Sequence, residues 1–328
     1  MPVKPRGQAA AQAQIGKNTD SPSSRWHTSK EKKGNKEESA MQLRTDLALE
    51  QKEMLDEERR LPAGVDSDEV HIGDVRITRI KITEEEGVKA LGRKQGTYVT
   101  IEVPPFSDDA GLDEDALTAV KRELTALLPA EGTVLVAGLG NTRITPDALG
   151  PKTAARILAT RHITGEIARS AGLGDLRPVA VLAPGVLGQT GIETSEILAG
   201  SVERIKPAAV VVVDALASRK LSRLGCTVQI SDTGIAPGAG VGNRRQEISE
   251  ETLNVPVVSM GVPTVVDAGT LAYDLLGGHE PADQELTEPR GASMIVTPRE
   301  IDLLIDRAAQ LVSHAINCAL QPGLDSEL

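Results

Sequence analysis

AAVVVVDA, residues 208–215, decides the fold: its four consecutive valines show neither a two-residue alternation nor a helical stripe, so the segment is apolar on both faces. A strand of that kind needs cover above and below, which places it inside a parallel sheet flanked by helices. Four more short apolar runs read the same way: TVLVAGLG (133–140), VAVLAPG (179–185), TVQIS (227–231) and VPVVSMG (255–261). Helical patterns separate them over 147–162, 192–206 and 265–276. The alternation predicts an α/β domain with a doubly wound, mainly parallel sheet and helices on both faces. A last helix is expected from Pro298 to about Leu320, with Thr297 as cap, Pro298 in the first turn and Glu300 as its acid.

Upstream, EVHIGDVRITRIKIT (69–83) alternates, TEEEGVKALG (83–92) reads as a short capped helix, and GTYVTIEV (96–103) alternates again. These predict a small N-terminal β element ahead of the main sheet. Residues 113–128 form an amphipathic helix with Leu117, Val120, Leu124, Leu127 and Leu128 on one face.

The chain has 328 residues, of which 40% are hydrophobic but 1% aromatic, so its core must be built from Val, Ile, Leu and Ala. Scarce aromatics leave no platform for stacked bases. Residues 1–40 carry eight Lys and Arg against four Asp and Glu and almost no large apolar side chain, which predicts a disordered basic leader. With the leader at +4, the net charge of −11 leaves −15 on the body, against a dedicated nucleic-acid surface. No run approaches the roughly 18 apolar residues of a membrane span, and no apolar signal core opens the chain. A cytoplasmic protein is expected. Cys226 and Cys318 form no paired motif and read as reduced core residues.

Ligands of open parallel sheets bind at the carboxyl ends of the strands, so polar residues that follow the apolar runs are the candidates. Asp214 directly ends the valine run, where a carboxylate is costly unless paired or hydrogen-bonded. Asp147 follows the loop AGLGNTRITP and reads equally as a helix N-terminal acid and as a catalytic group. Two carboxylates converging on one water share a proton; one can act as base on the water while the other protonates a carbonyl. The glycine-rich loops at 184–196 and 231–245 offer bare N–H groups for a substrate backbone. Other chemistries find little support. There is no G-x-S-x-G, no H-E-x-x-H, and the five histidines lack ligand-like neighbours at helical spacing. GLGNTR lacks the third glycine of the dinucleotide fingerprint, so no cofactor and no metal is expected.

VLVAGLGNTRITPDALGP (134–151), LAPGVLGQTGIETSEI (182–197), VVVDALASR (211–219), QISDTGIAPGAGVGNRR (229–245), GVPTVVDA (261–268) and MIVTPREID (294–302) together resemble the germination proteases of spore-forming Firmicutes, an atypical aspartic endopeptidase family. The resemblance implies a fold similar to the hydrogenase maturation endopeptidases and a homotetramer in the forespore. It implies cleavage of small acid-soluble spore proteins, with the catalytic aspartates falling on Asp147 and Asp214. Two rivals stand beside it: a metal-dependent maturation endopeptidase on the same fold, and a non-catalytic nucleotide-binding regulator.

The family's substrates are cut after an acidic residue and before a bulky apolar one followed by alanine. Thr45, Asp46, Leu47, Ala48 and Glu50 reproduce that context, although the same residues also read as a helix start with Thr45 as cap. The expected organisation is a leader over 1–40, a propeptide end over 41–46 with self-cleavage between Asp46 and Leu47, and one peptidase domain over 47–328. The leader is longer, and the C-terminal end shorter, than the resemblance leads one to expect.

Overall fold

The computed structural model describes residues 45–56, 61–108, 112–163, 165–170, 176–242, 245–275 and 294–324. The expected basic leader lies outside these residues. The strands are β1 (Val65–Ile72), β2 (Val75–Ile82), β3 (Gly96–Glu102), β4 (Val134–Gly138), β5 (Val179–Leu182), β6 (Ala209–Ser218), β7 (Thr227–Ser231), β8 (Val257–Asp267) and β9 (Ile295–Val296). The helices are α1 (Ala48–Asp56), α2 (Glu85–Leu91), α3 (Glu114–Leu127), α4 (Leu149–Ala154), α5 (Gly165–Ser170), α6 (Leu187–Thr190), α7 (Thr194–Ile205), α8 (Glu250–Leu253), α9 (Ala268–Leu275) and α10 (Ile301–Leu320).

Among the described residues, the nine strands join one sheet in the order β1-β2-β3-β7-β8-β6-β4-β5, with β9 paired to β8. The valine run lies at its centre: β6 is parallel to β4 on one side and to β8 on the other, and Val210 to Val213 are fully buried. One face packs Val134, Val136, Val211, Val213, Val258 and Met260 against α3, α4 and α10. The opposite face packs Leu135, Ala137, Val210 and Val212 against Leu198 of α7 and Leu253 of α8. Helices thus cover both faces, as the apolar runs require. A third cluster closes Ile80, Ile82 and Tyr98 under α1 and α2.

The sheet is mixed, and its parallel part is confined to β8, β6, β4 and β5. The N-terminal element does not stand apart from it, because β3 pairs antiparallel with β7. TVQIS, expected among the parallel strands, runs antiparallel to both neighbours. The connection over 219–226 from β6 is too short for a crossover, which takes a dozen or more residues. β8 runs to Asp267 where a helix was expected from 265, because Val265 and Val266 pair with Ala217 and Ser218 of β6 and β-branched side chains suit that ladder. Thr297 does not cap α10; its hydroxyl donates to Thr264 O at 2.8 Å, and the helix begins at Ile301. Cys318 is a core residue as expected, whereas Cys226 is half-buried at the start of β7 and its Sγ contacts Ser222 O at 2.8 Å. No helix among the described residues is long and apolar enough to cross a membrane.

Candidate active site

The chain leaves β4 through α4 on one face and enters β6 from α7 on the other, so the strand order reverses between β4 and β6. Open α/β sheets bind ligands in the crevice of such a switch point. β4 stops at Gly138, opposite Val213, and Leu139 N closes the ladder by donating to Val213 O at 2.8 Å. Asp214 is the next residue of β6, at the edge of the gap left by β4. The strand does not end there, as the apolar run suggested: it continues to Ser218, paired with β8 alone. Asp214 is 5% exposed, and its Oδ1 accepts from Ala215 N at 2.9 Å. Burial pushes its carboxyl well above the usual range; the charges of Asp147 and Asp46 act in the same direction, against the Ala215 N–H.

Asp147 reaches the same crevice from the loop after β4. It closes a 3-10 turn, Thr145–Asp147, rather than opening a long helix; α4 that follows spans only Leu149–Ala154. Two glycines of the loop make room for this. A Cβ on Gly138 would stand 2.1 Å from Gly150 O, and one on Gly140 (φ 113°) 2.0 Å from Asp147 O. The turn is pinned by Asn141 N donating to Asp147 O (2.9 Å) and Thr264 Oγ1 donating to Pro146 O (2.8 Å). These glycines therefore serve close packing and the placement of Asp147. Burial raises the Asp147 carboxyl to about 6, opposed by the Asn141 N–H.

Asp147 and Asp214 line one cleft of about 470 Å³, with Val186, Thr194, Gly238 and Thr264 among its walls. Both glycine-rich loops singled out in the sequence contribute to it. Among the described residues, no group of three or more His, Cys, Asp or Glu side chains is placed to hold a metal ion.

The raised Asp147 carboxyl has a stability consequence whose sign is fixed. Between about pH 4, its unfolded value, and about pH 6 the folded chain keeps a proton that the unfolded chain has released, so stability falls as pH rises through this window. Asp147→Asn removes that penalty and, discounting for partial exposure, should raise the unfolding free energy by ~1–2 kcal/mol at pH 8. Denaturant titrations at pH 4 and pH 8 check this; an equal gain at both values would show that the charge is not its source.

Asp46 also comes to the cleft, whereas Leu47, fully buried, is not among its walls. Asp46 joins its wall, with Asp46 N donating to Ala217 O (2.9 Å) and Asp46 Oδ2 accepting from Ala217 N (2.8 Å). Burial raises the Asp46 carboxyl, against the N–H groups of Ala217 and Gly240 and the Arg93 charge. The peptide that follows is clamped by one side chain: Gln229 Nε2 donates to Asp46 O, and Gln229 Oε1 accepts from Ala48 N, both at 2.8 Å. Thr45 Oγ1 accepts from Leu47 N at 3.0 Å; this bond closes a turn ahead of the helix and is not the expected cap, because α1 begins only at Ala48. Glu50 is buried on the N–H groups of Arg219 (2.7 Å) and Lys220 (2.9 Å). Sequence reasoning did not single out Gln229, Arg93 or Gly240. A glutamine inside the apolar strand TVQIS was the visible signal for the first.

Residues 41–277 match the family described as "Germination protease". Curated relatives carrying that description include one from Caldanaerobacter subterraneus subsp. tengcongensis, 45% identical over 86% of this chain and 95% of its own length. One from Clostridium perfringens is 41% identical over 86% of this chain and 96% of its own. One from Priestia megaterium is 35% identical over 87% and 95%. Among solved structures, the [NiFe] hydrogenase maturation protease HycI from Thermococcus kodakarensis KOD1 aligns with a TM-score of 0.34 and 18% identity, covering 59% of this chain and 98% of that one.

Proposed function

Because the chain belongs to the germination protease family and is a peptidase, we propose that it is the endopeptidase that opens degradation of small acid-soluble spore proteins, using Asp147 and Asp214 as a water-activating pair. It is made as a zymogen in the forespore, processes itself between Asp46 and Leu47, and works as a homotetramer without a cofactor. The observation that carries the reading is the convergence of two carboxylates, one from the loop after β4 and one from β6, in a cleft where each environment favours a different protonation state.

Asp147, near pKa 6, is ionised at neutral pH and takes a proton from the attacking water. Asp214, buried and held beside a second charge, keeps its proton and donates it to the carbonyl oxygen as the water oxygen bonds to the carbonyl carbon. As the C–N bond breaks, Asp147 passes its proton to the leaving nitrogen, and the collapsing diol returns one to Asp214. The pair ends as it began.

The rate should rise with pH as the pair loses its first proton, with an apparent value near 6, and fall when the second is lost; both values belong to the pair. A pH profile of kcat/KM checks this, and a flat profile between pH 4 and 8 would speak against base catalysis by Asp147. The function itself is tested by incubating the protein with a small acid-soluble spore protein. Discrete fragments are expected, and a substrate left intact would overturn the reading. The metal-dependent rival predicts loss of activity on chelation and its return with nickel or zinc.

A further inference from the structure

β8 carries one residue more than β6 along the stretch beside the site. Asp214 pairs with Gly261 and Leu216 with Pro263, but Ala217 pairs with Val265, so Thr264 is left over as a β-bulge. A bulge residue is released from the regular ladder, and its side chain can be aimed where the alternation would not send it. Thr264 Oγ1 donates to Pro146 O at 2.8 Å, which is the carbonyl of the peptide that leads into Asp147. The threonine is itself fixed from the far side. Thr297, directly after β9, donates its hydroxyl to Thr264 O at 2.8 Å, and β9 is fastened to β8 through the pairs Val266–Val296 and Asp267–Ile295.

β8 therefore meets both halves of the aspartate pair. Gly261 lies beside Asp214, and three residues on Thr264 holds the peptide of Asp147. Bonds inside the turn, Asn141 N to Asp147 O and Asp147 N to Ile144 O (both 2.9 Å), fix its shape. The bond from Thr264 ties that shape to the strand that carries Asp214's neighbour. Thr264 is fully buried, so it reaches the chemistry only through the group it holds.

We propose that Thr264 is a positioning residue of the reaction: the bulge in β8 aims its hydroxyl at the Pro146–Asp147 peptide and so sets the separation of the two carboxylates. This rests on the reading of Asp147 as the base. A catalytic group displaced by about 1 Å can lose ~10²-fold in rate, which makes one hydrogen bond to the turn matter. Asp147 also owes its raised carboxyl to burial, so a turn that swings outward brings it back toward the usual carboxylate range.

The test compares Thr264→Val, which keeps the shape of the side chain and removes the donor, with Thr264→Ser, which keeps the donor. The substrate is a small acid-soluble spore protein. Thr264→Val is expected to lower kcat ~10–100-fold with KM within ~2-fold of the unmodified protein. Its pH profile should have the acidic limb displaced below 6. Thr264→Ser should restore the rate and the limb. A merely structural threonine would shift thermal unfolding and leave the limb in place. Should Thr264→Val fail to fold, Thr297→Val decides, one bond further out, with kcat expected ~3–10-fold lower by the same route. An unchanged kcat and limb in the deciding variant, or a Thr264→Ser as impaired as Thr264→Val, overturns the assignment and leaves the peptidase reading intact. A near-normal rate in Asp147→Asn overturns the reading of the base itself, and the positioning role with it.

Discussion

Asp214→Asn is expected to abolish peptide hydrolysis, and Asp147→Asn to do the same, each lowering kcat/KM by at least ~10²-fold because each removes a proton-transfer group. The swaps are nearly isosteric. The Asn side-chain oxygen at 214 can still accept from Ala215 N, and the turn that holds Asp147 is pinned through the backbone of Pro146 and Asp147. Both variants should therefore fold. Asp214→Asn should also stabilise the chain at neutral pH, because burial makes the folded chain hold on Asp214 a proton that the unfolded chain has released. Steady-state kinetics together with thermal unfolding decide the matter: either variant with a near-normal rate would remove that residue from the mechanism.

Self-processing should be equally complete. At mildly acidic pH the full chain is expected to lose everything before Leu47, water adding across the Asp46–Leu47 bond to leave a carboxylate on one fragment and an α-ammonium on the other. Two features support this bond. Asp46 shares the cleft of the aspartate pair, and its charge is felt at Asp214. Acid is the expected trigger because the Asp46 carboxyl is already raised by burial, so it protonates readily and its hold on the Ala217 and Gly240 N–H groups weakens. The segment can then shift from the Gln229 clamp toward the pair. N-terminal sequencing or intact mass identifies the product. A mature N-terminus away from Leu47, or unchanged processing in Asp214→Asn, would contradict cleavage here by this site.

The parallel half of the sheet was legible because Val210 to Val213 and their counterparts in β4 carry the signature of burial on both faces. Asp214 could be picked out for the same reason, since a carboxylate continuous with buried valines stands out in any register. The place of Asp214 within its strand was not legible. What opens the crevice is the end of β4 at Gly138, a property of the neighbouring strand. β7 was misassigned because its direction depends on the length of the preceding connection and on pairing with β3, more than 120 residues earlier in the chain. The seat of Asp46 lay beyond sequence reasoning for a similar reason. Its parts come from residues 93, 217, 229 and 240, which only the strand order brings together. The glycine loop at 231–245 marked the neighbourhood without saying which glycine faced what.

The central claim is that this cleft hydrolyses peptide bonds through Asp147 and Asp214 without help from a metal. Its most direct test is mass mapping of a small acid-soluble spore protein after incubation with chelator-treated protein, beside Asp214→Asn under the same conditions. A defined set of fragments is expected from the chelator-treated protein, and an intact substrate with Asp214→Asn. Fragments from Asp214→Asn at the unmodified rate, or cutting that vanishes on chelation and returns with nickel or zinc, would contradict it.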